Sequence, residues 1–300
     1  MTDITKRPPI TRSVIGIAIA TALGVLVALA GSSGGLSVGP LPALAMAALV
    51  VYGIQWLAFI PAFLSQSERY YDLVGSLTYL SVVGFALSVK GDARSMLLAG
   101  LVAIWALRLG SFLFLRIRDA GSDRRFDRIK PFFFRFLMTW TIQGLWVLMT
   151  AGAALAAMTS ASSTTPGVVA VLGALLWLLG FAIEVAADRQ KRQFRRDPAN
   201  RERFITHGLW AWSRHPNYFG EILLWCGVAL IALPALSGWQ YLTLSSPLFV
   251  YLLLTRISGI PLLDAGALKR WGDDPDYQAY RKATPVLFPR PPRASSAQKG

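Results

Sequence analysis

The chain has 300 residues, of which 54% are hydrophobic and only 15% charged, against roughly 25% charged in soluble domains. Its mean hydropathy is +0.47, and several apolar runs approach membrane-spanning length, which excludes a soluble globular domain. The formal net charge of +14 therefore reads as basic loops that orient membrane helices and meet anionic lipid, not as a nucleic-acid surface.

Residues 1–12 are polar and basic, and the apolar run at 13–31 is too long for a signal-peptide core. It reads as the first membrane helix. Further spans are expected at 42–64, 72–89, 95–115, 131–158, 168–187, 218–233 and 242–263. Pro216 suits the first turn of the seventh span. Arg256, Gly259 and Pro261 in the eighth predict a bend or break. The fold expected is an all-α polytopic membrane bundle of about eight helices (seven to nine). With the N-terminus inside, the cations gather on one side. Outside segments 32–41, 159–167 and 234–239 carry no charge, and the cations of the remaining one are only Lys90 and Arg94. This alternation supports an even count with both termini cytoplasmic. Cys226 lies in an apolar run and reads as a small core residue, and the two histidines make a metal site improbable on composition. No internal repeat or soluble domain is visible. The chain divides into N-terminal helices (1–70), a main membrane domain (71–290) and a Pro/Arg-rich disordered tail (291–300).

The polar residues concentrate between Glu184 and Glu221. Glu184 stands near the end of the sixth span, with Asp188, Arg192 and Arg196 following at four-residue spacing and Lys191 and Arg195 alongside. Two acids four residues apart repel on a helix, so this end suits either an ion-paired helix terminus or a ligand site. Next comes Arg203, then Trp212-Ser213-Arg214-His215-Pro216-Asn217-Tyr218-Phe219-Gly220-Glu221. A helix starting at Pro216 would direct free N–H groups toward Arg214 and Asn217, a combination able to hold phosphate. An ionisable Glu221 one turn into a span is usually partnered or functional. In the N-terminal half, Tyr71 and Asp72 open the third span, and Trp105 and Arg108 lie in the fourth. Arg108 needs a partner, for which Asp72 is the nearest acid in sequence.

These motifs resemble the steroid 5-alpha-reductase-like family, with its 3-oxo-5-alpha-steroid 4-dehydrogenase C-terminal-type domain, and within it a bacterial branch long described as of unknown function. The likeness is carried by Asp188-Arg189-Gln190-Lys191, Phe194-Arg195 and the His-Pro-Asn-Tyr-Phe-Gly-Glu run from His215. It is strong over 172–289, weaker over 72–130 and absent over the first two spans. The resemblance implies an NADPH-dependent reductase in a bacterial inner membrane, its cofactor cavity open to the cytoplasm. Carried over by position, Glu184, Asp188, Arg192, Arg195, Arg203, His215, Asn217 and Glu221 would hold the cofactor. Glu184 departs from the family, whose animal members have Asn there. Trp105 falls where those enzymes have a tyrosine, and Tyr71 or Asp72 where they have the substrate-facing acid.

The reaction expected is reduction of a carbon–carbon double bond conjugated to a ketone, in a steroid-like or other lipid. Asp72, Tyr71 or Trp105 would stabilise the charge that develops on the carbonyl oxygen. His-Pro-x-Tyr-x-Gly also resembles isoprenylcysteine carboxyl methyltransferase-like enzymes, so an S-adenosylmethionine-dependent methyltransferase is an alternative. A non-catalytic lipid-binding protein is a third. S-adenosylmethionine carries no phosphate, and the arginine surplus favours NADPH. Partners expected are a lipid substrate and membrane lipids, with no nucleic acid.

Overall fold

A computed structural model describes residues 10–123 and 125–292. The expectations for residues 1–9, for Arg124 and for the tail from 293 onward lie outside the described residues. Eight helical segments are long and apolar enough to cross a membrane, and the chain is an all-α polytopic membrane protein. Two compact units are formed, one from Met1–Val171 with Val228–Ser246, the other from Leu172–Gly227 with Pro247–Gly300.

In the first unit, α1 (Ile10–Gly31) is followed by a short hairpin of β1 (Ser37–Val38) and β2 (Leu41–Pro42). Then come α2 (Ala43–Leu64), α3 (Tyr71–Val89), α4 (Ala93–Ala120) and α5 (Phe133–Thr159). Helix α5 packs against all four of the others. Its C-terminal half is buried and built largely of Ala and Gly from Ala151 to Ala157, which lets helix backbones approach closely where lipid gives no hydrophobic drive for association. Larger residues then fit against small ones. Tyr52 packs on Gly144 and donates its hydroxyl to the Ala20 carbonyl at 2.8 Å. Near the α5 start, Phe59, Phe126, Phe136 and Trp140 form an aromatic core.

Three charged groups lock the ends of this unit. Arg94, only 2% exposed, donates to Thr164 Oγ1 at 3.0 Å, to the Thr165 carbonyl at 2.9 Å and to the Ile231 carbonyl. Lys90 donates to the Ser160 carbonyl at 3.1 Å and to that of Ser162. These two cations thus clamp backbone carbonyls of the 160–165 segment and of Ile231, and Lys90 also pairs with Asp92 at 3.1 Å. Glu68, buried between α2 and α3, accepts from the Asp123 amide at 2.9 Å and from Lys130 Nζ at 2.8 Å. Burial alone would raise its pKa, but these donors bring it below the usual carboxylate value.

Helix α6 (Val168–Arg196) runs nine residues past the apolar stretch that ends at 187. The added segment, Asp188 to Arg196, is rich in charged helix formers. It stops where Asp197 caps a 3-10 turn beginning at Pro198. Helix α7 (Pro216–Ala232) starts at Pro216 as expected. The eighth span is broken. A 3-10 helix (Gly238–Ser245), α8 (Ser246–Leu252) and a π turn (Leu253–Ile257) lead to Gly259, after which α9 (Ile260–Trp271) begins with Pro261 in its first turn. A Cβ on Gly259 would strike the Leu254 carbonyl and lie 2.9 Å from the Tyr218 ring, so the break requires glycine. Helix α10 (Pro275–Ala283), capped by Asp274, completes the second unit.

Candidate functional site: a cationic, aromatic cavity

The site begins with close contact between α6 and α7. Gly173 and Gly180 on α6 face Gly220 and Gly227 on α7, each pair seven residues apart. A Cβ on Gly220 would stand 2.5 Å from the Gly180 carbonyl oxygen and 2.7 Å from the Glu184 amide nitrogen. No side chain fits there. The seam brings Glu184 (3% exposed) and Glu221 (9% exposed) to one helix junction. Asn217 sits in the first turn of α7, where its buried Oδ1 lacks a hydrogen-bond partner among the described residues.

The segment after α6 folds back along it. Gly208 adopts φ +61°, and the Leu209 amide donates to Gln190 Oε1 at 2.9 Å. Trp210 donates its indole N–H to the Ala187 carbonyl at 3.0 Å, with Lys191 Nζ 4.3 Å over its ring. The stretch at 285–290 then braces this segment. Ser213 Oγ donates to the Leu287 carbonyl at 2.8 Å, and the Arg214 and Arg290 amides donate to the Pro285 and Trp212 carbonyls at 2.9 and 3.0 Å. From the opposite side, α9 and α10 surround Phe204 with Trp271, Tyr277 and Tyr280. Tyr280 donates its hydroxyl to the Trp210 carbonyl at 2.7 Å, and burial pushes its phenol pKa up.

These elements enclose a cavity of about 290 Å³. Five cations line it: Lys191, Arg195, Arg203, Arg214 and Arg270. The aromatic wall is Phe204, Trp210, Trp271, Tyr277 and Tyr280. The acid in the lining is Asp264 on α9. Its carboxylate lies 3.3 Å from Arg214 Nη1 and 3.3 Å from His215 Nε2. Burial holds the His215 pKa below its ordinary value while Asp264 pulls the other way. The ring stacks on Tyr218 at 5.6 Å. Its Nδ1, like Arg214 Nε, is buried without a hydrogen-bond partner among the described residues.

Of the residues expected to form a cofactor site, Arg195, Arg203 and His215 line the cavity. Glu184, Asp188, Arg192, Asn217 and Glu221 are not in its lining; they lie on the adjoining α6 end and α7 start. Asp264, Arg270 and the α9–α10 aromatics were missed. One sequence signal for Asp264 existed: a lone acid one turn after the Gly259–Pro261 break, amid leucines.

The substrate-side candidates lie in the first unit. The Asp72 carboxylate is 3.7 Å from Arg116. Tyr71 donates its hydroxyl to the Thr139 carbonyl at 3.0 Å and packs edge-on against Phe126 and Trp140. Trp105, 2% exposed, stands edge-on to Tyr79 at 5.1 Å.

A family profile described as "Protein of unknown function (DUF1295)" matches residues 58–284. The chain belongs to this family. This DUF1295 protein is also homologous to 3-oxo-5-alpha-steroid 4-dehydrogenase and Delta(14)-sterol reductase, in keeping with the steroid 5-alpha-reductase-like motifs. It is 33% identical over 69 residues to 3-oxo-5-alpha-steroid 4-dehydrogenase 1 of Bos taurus, a match covering 23% of the chain and 26% of the relative. To Delta(14)-sterol reductase of Methylotuvimicrobium alcaliphilum it is 34% identical over 137 residues, covering 40% of the chain and 29% of the relative. To 3-oxo-5-alpha-steroid 4-dehydrogenase 1 of Rattus norvegicus it is 29% identical over 118 residues, 39% of the chain and 40% of the relative. The DUF1295 chain thus spans between about a quarter and two fifths of the length of these relatives. No solved structure matches it.

Proposed function

We propose that this protein is a membrane-embedded, NADPH-dependent reductase of a carbon–carbon double bond in a lipid enone. The observation that carries the reading is the cavity of the second unit, where four arginines and a lysine face an aromatic wall. Guanidinium groups match pyrophosphate and 2′-phosphate geometry, and aromatic faces suit an adenine or nicotinamide ring. The donor set fits the cofactor. So do His215 Nδ1 and Arg214 Nε, atoms of lining residues that are buried without a hydrogen-bond partner among the described residues. At about 290 Å³ the space would suit one half of a dinucleotide. Likeness to steroid and sterol reductases supports the reaction class.

Arg195, Arg203 and Arg214 would bind phosphate. Asp264 would hold Arg214 and His215 in place. NADPH, when bound, supplies the hydride. On the substrate side Asp72 is best placed to hydrogen-bond the carbonyl oxygen and return a proton. It is partly exposed and beside Arg116, whereas the Tyr71 hydroxyl is engaged by Thr139 and Trp105 is enclosed against Tyr79. The charge alternation of the loops supports a cofactor side and both termini in the cytoplasm, the membrane being the bacterial inner one in this reading. S-adenosylmethionine, with its sulfonium and no phosphate, has little use for four arginines, so the methyltransferase reading is the weaker one.

The test is direct binding of NADPH and of S-adenosylmethionine to the purified protein. NADPH should bind, and Arg195→Ala or Arg203→Ala should each weaken it about tenfold or more with the helical content unchanged. Tight S-adenosylmethionine binding without NADPH binding would reverse the assignment, and unchanged NADPH affinity in both variants would remove the site.

A further inference from the structure

A second hollow of the second unit, about 340 Å³ in volume, differs in chemistry from the first. One wall is the π turn Leu253–Ile257 with the start of α9, and the other is the chain at 285–290. Its cations are Arg256 and Arg290. Neither guanidinium has a carboxylate or hydrogen-bond partner among the described residues, and the lining contains no acid. The rest of the lining is mainly apolar, from Ile260, Val286, Leu287 and Phe288. Phe288 is 61% exposed at its rim.

Three features make this a built site and not an accident of surface charge. The Arg290 wall is fixed, because its amide and the Leu287 carbonyl are hydrogen-bonded to the Trp212–Ser213 segment. The opposite wall is a π turn, in which the Ser258 amide reaches back to the Leu253 carbonyl at 2.9 Å; such turns are uncommon and cluster at functional positions. Finally, Arg256 lies within the eighth membrane-spanning segment, Gly238–Trp271. A cation there is costly unless it reaches a polar layer or an anion.

We propose that this groove binds one anionic phospholipid, its phosphate between Arg256 and Arg290 and its upper acyl chain along Ile260, Leu287 and Phe288. Charge excludes a zwitterion as the preferred occupant, since two unpaired arginines face no counter-charge of their own. The apolar walls exclude a free inorganic anion, which would leave them wet. The site is separate from the cofactor reading and does not depend on it.

The experiment is native mass spectrometry of the full-length protein, delipidated in mild detergent and titrated with phosphatidylglycerol or phosphatidylcholine of matched chains. The wild type should retain phosphatidylglycerol about tenfold better. Arg256→Gln with Arg290→Gln should bring the two lipids within about twofold of each other. A charge-matched control, Arg69→Gln with Arg128→Gln, should keep the preference. Arg290→Gln alone, on the exposed terminal stretch, should lose part of it and serves if the double variant does not fold. Equal retention of both lipids by the wild type, or a preference that survives the loss of both arginines, would overturn the proposal. Displacement of phosphatidylglycerol by millimolar inorganic phosphate would overturn it in favour of a bare anion site.

Discussion

Around α5, alanines and glycines let four helices approach one central helix, and Tyr52 and Ser246 donate their hydroxyls to the Ala20 and Thr150 carbonyls. In the second unit, glycines again bring α6 and α7 together, but the helix ends beyond that seam open onto arginines, aromatic rings and unsatisfied polar atoms. The same small-residue packing thus makes a closed core in one region and the floor of a cavity in the other. The difference lies beyond the close-packed stretch: more apolar helix around α5, and a charged extension with a folded-back loop after α6. Buried polar atoms without a partner among the described residues occur in both units, so what sets the second apart is the gathering of cations and aromatic rings around a hollow.

The comparison is broken most severely at the seam. Gly220→Leu should prevent α6 and α7 from packing, costing several kcal/mol by overpacking (of order 3 or more) and abolishing both NADPH binding and recovery of monodisperse protein. Next in size is Arg94→Met, which orphans the Thr165 and Ile231 carbonyls. It should lower stability by about 3 kcal/mol, read as a drop in thermal midpoint with cofactor affinity retained. A similar loss of NADPH affinity would show that the two regions are not independent.

Glu68→Gln comes third, at roughly 1–3 kcal/mol for a buried charge-assisted bond. Its pH dependence has a definite sign. The folded pKa of Glu68 is lowered, so its contribution is present above the unfolded carboxylate pKa. It is lost as pH falls through the lower folded value. An unfolding midpoint that is independent of pH in the acid range, or that falls equally in Glu68→Gln, would remove this role.

Asp264→Asn should act on the cavity alone. Releasing Arg214 and His215 should weaken NADPH by about tenfold while leaving thermal stability within about 0.5–1 kcal/mol. The smallest effect is expected at Gly100 on α4, where a Cβ meets nothing within 4 Å. Gly100→Ala should be neutral or stabilise by about 0.5–1 kcal/mol through helix propensity, marking how local the glycine requirement at Gly220 is.

Much of this was legible along the chain. Span positions follow from apolar runs long enough to cross a bilayer, the α7 start from Pro216, and the break in the eighth span from Gly259 and Pro261. The convergence of Arg195, Arg203 and His215 on one cavity was foreshadowed by their flanking two helix ends. Other parts were not legible. The seven-residue spacing of Gly173/Gly180 and Gly220/Gly227 was visible, but nothing linear says that the two pairs face each other. Lys90 and Arg94 read as exceptions in a neutral loop, whereas they are clamps on carbonyls, a role set by where 160–165 and Ile231 come to lie.

Hydropathy, helix punctuation and the one-sided distribution of arginine are properties of neighbouring residues and of the solvent each segment requires, so the sequence by itself determined the membrane class, the number of spans and the neighbourhood of the site. Which cations meet which acid, and which helix ends enclose a hollow, depend on residues far apart in sequence. Asp264 reaches Arg214 and His215 across some fifty residues, and only the packing of α9 against the segment that comes after α6 brings them within 3.3 Å.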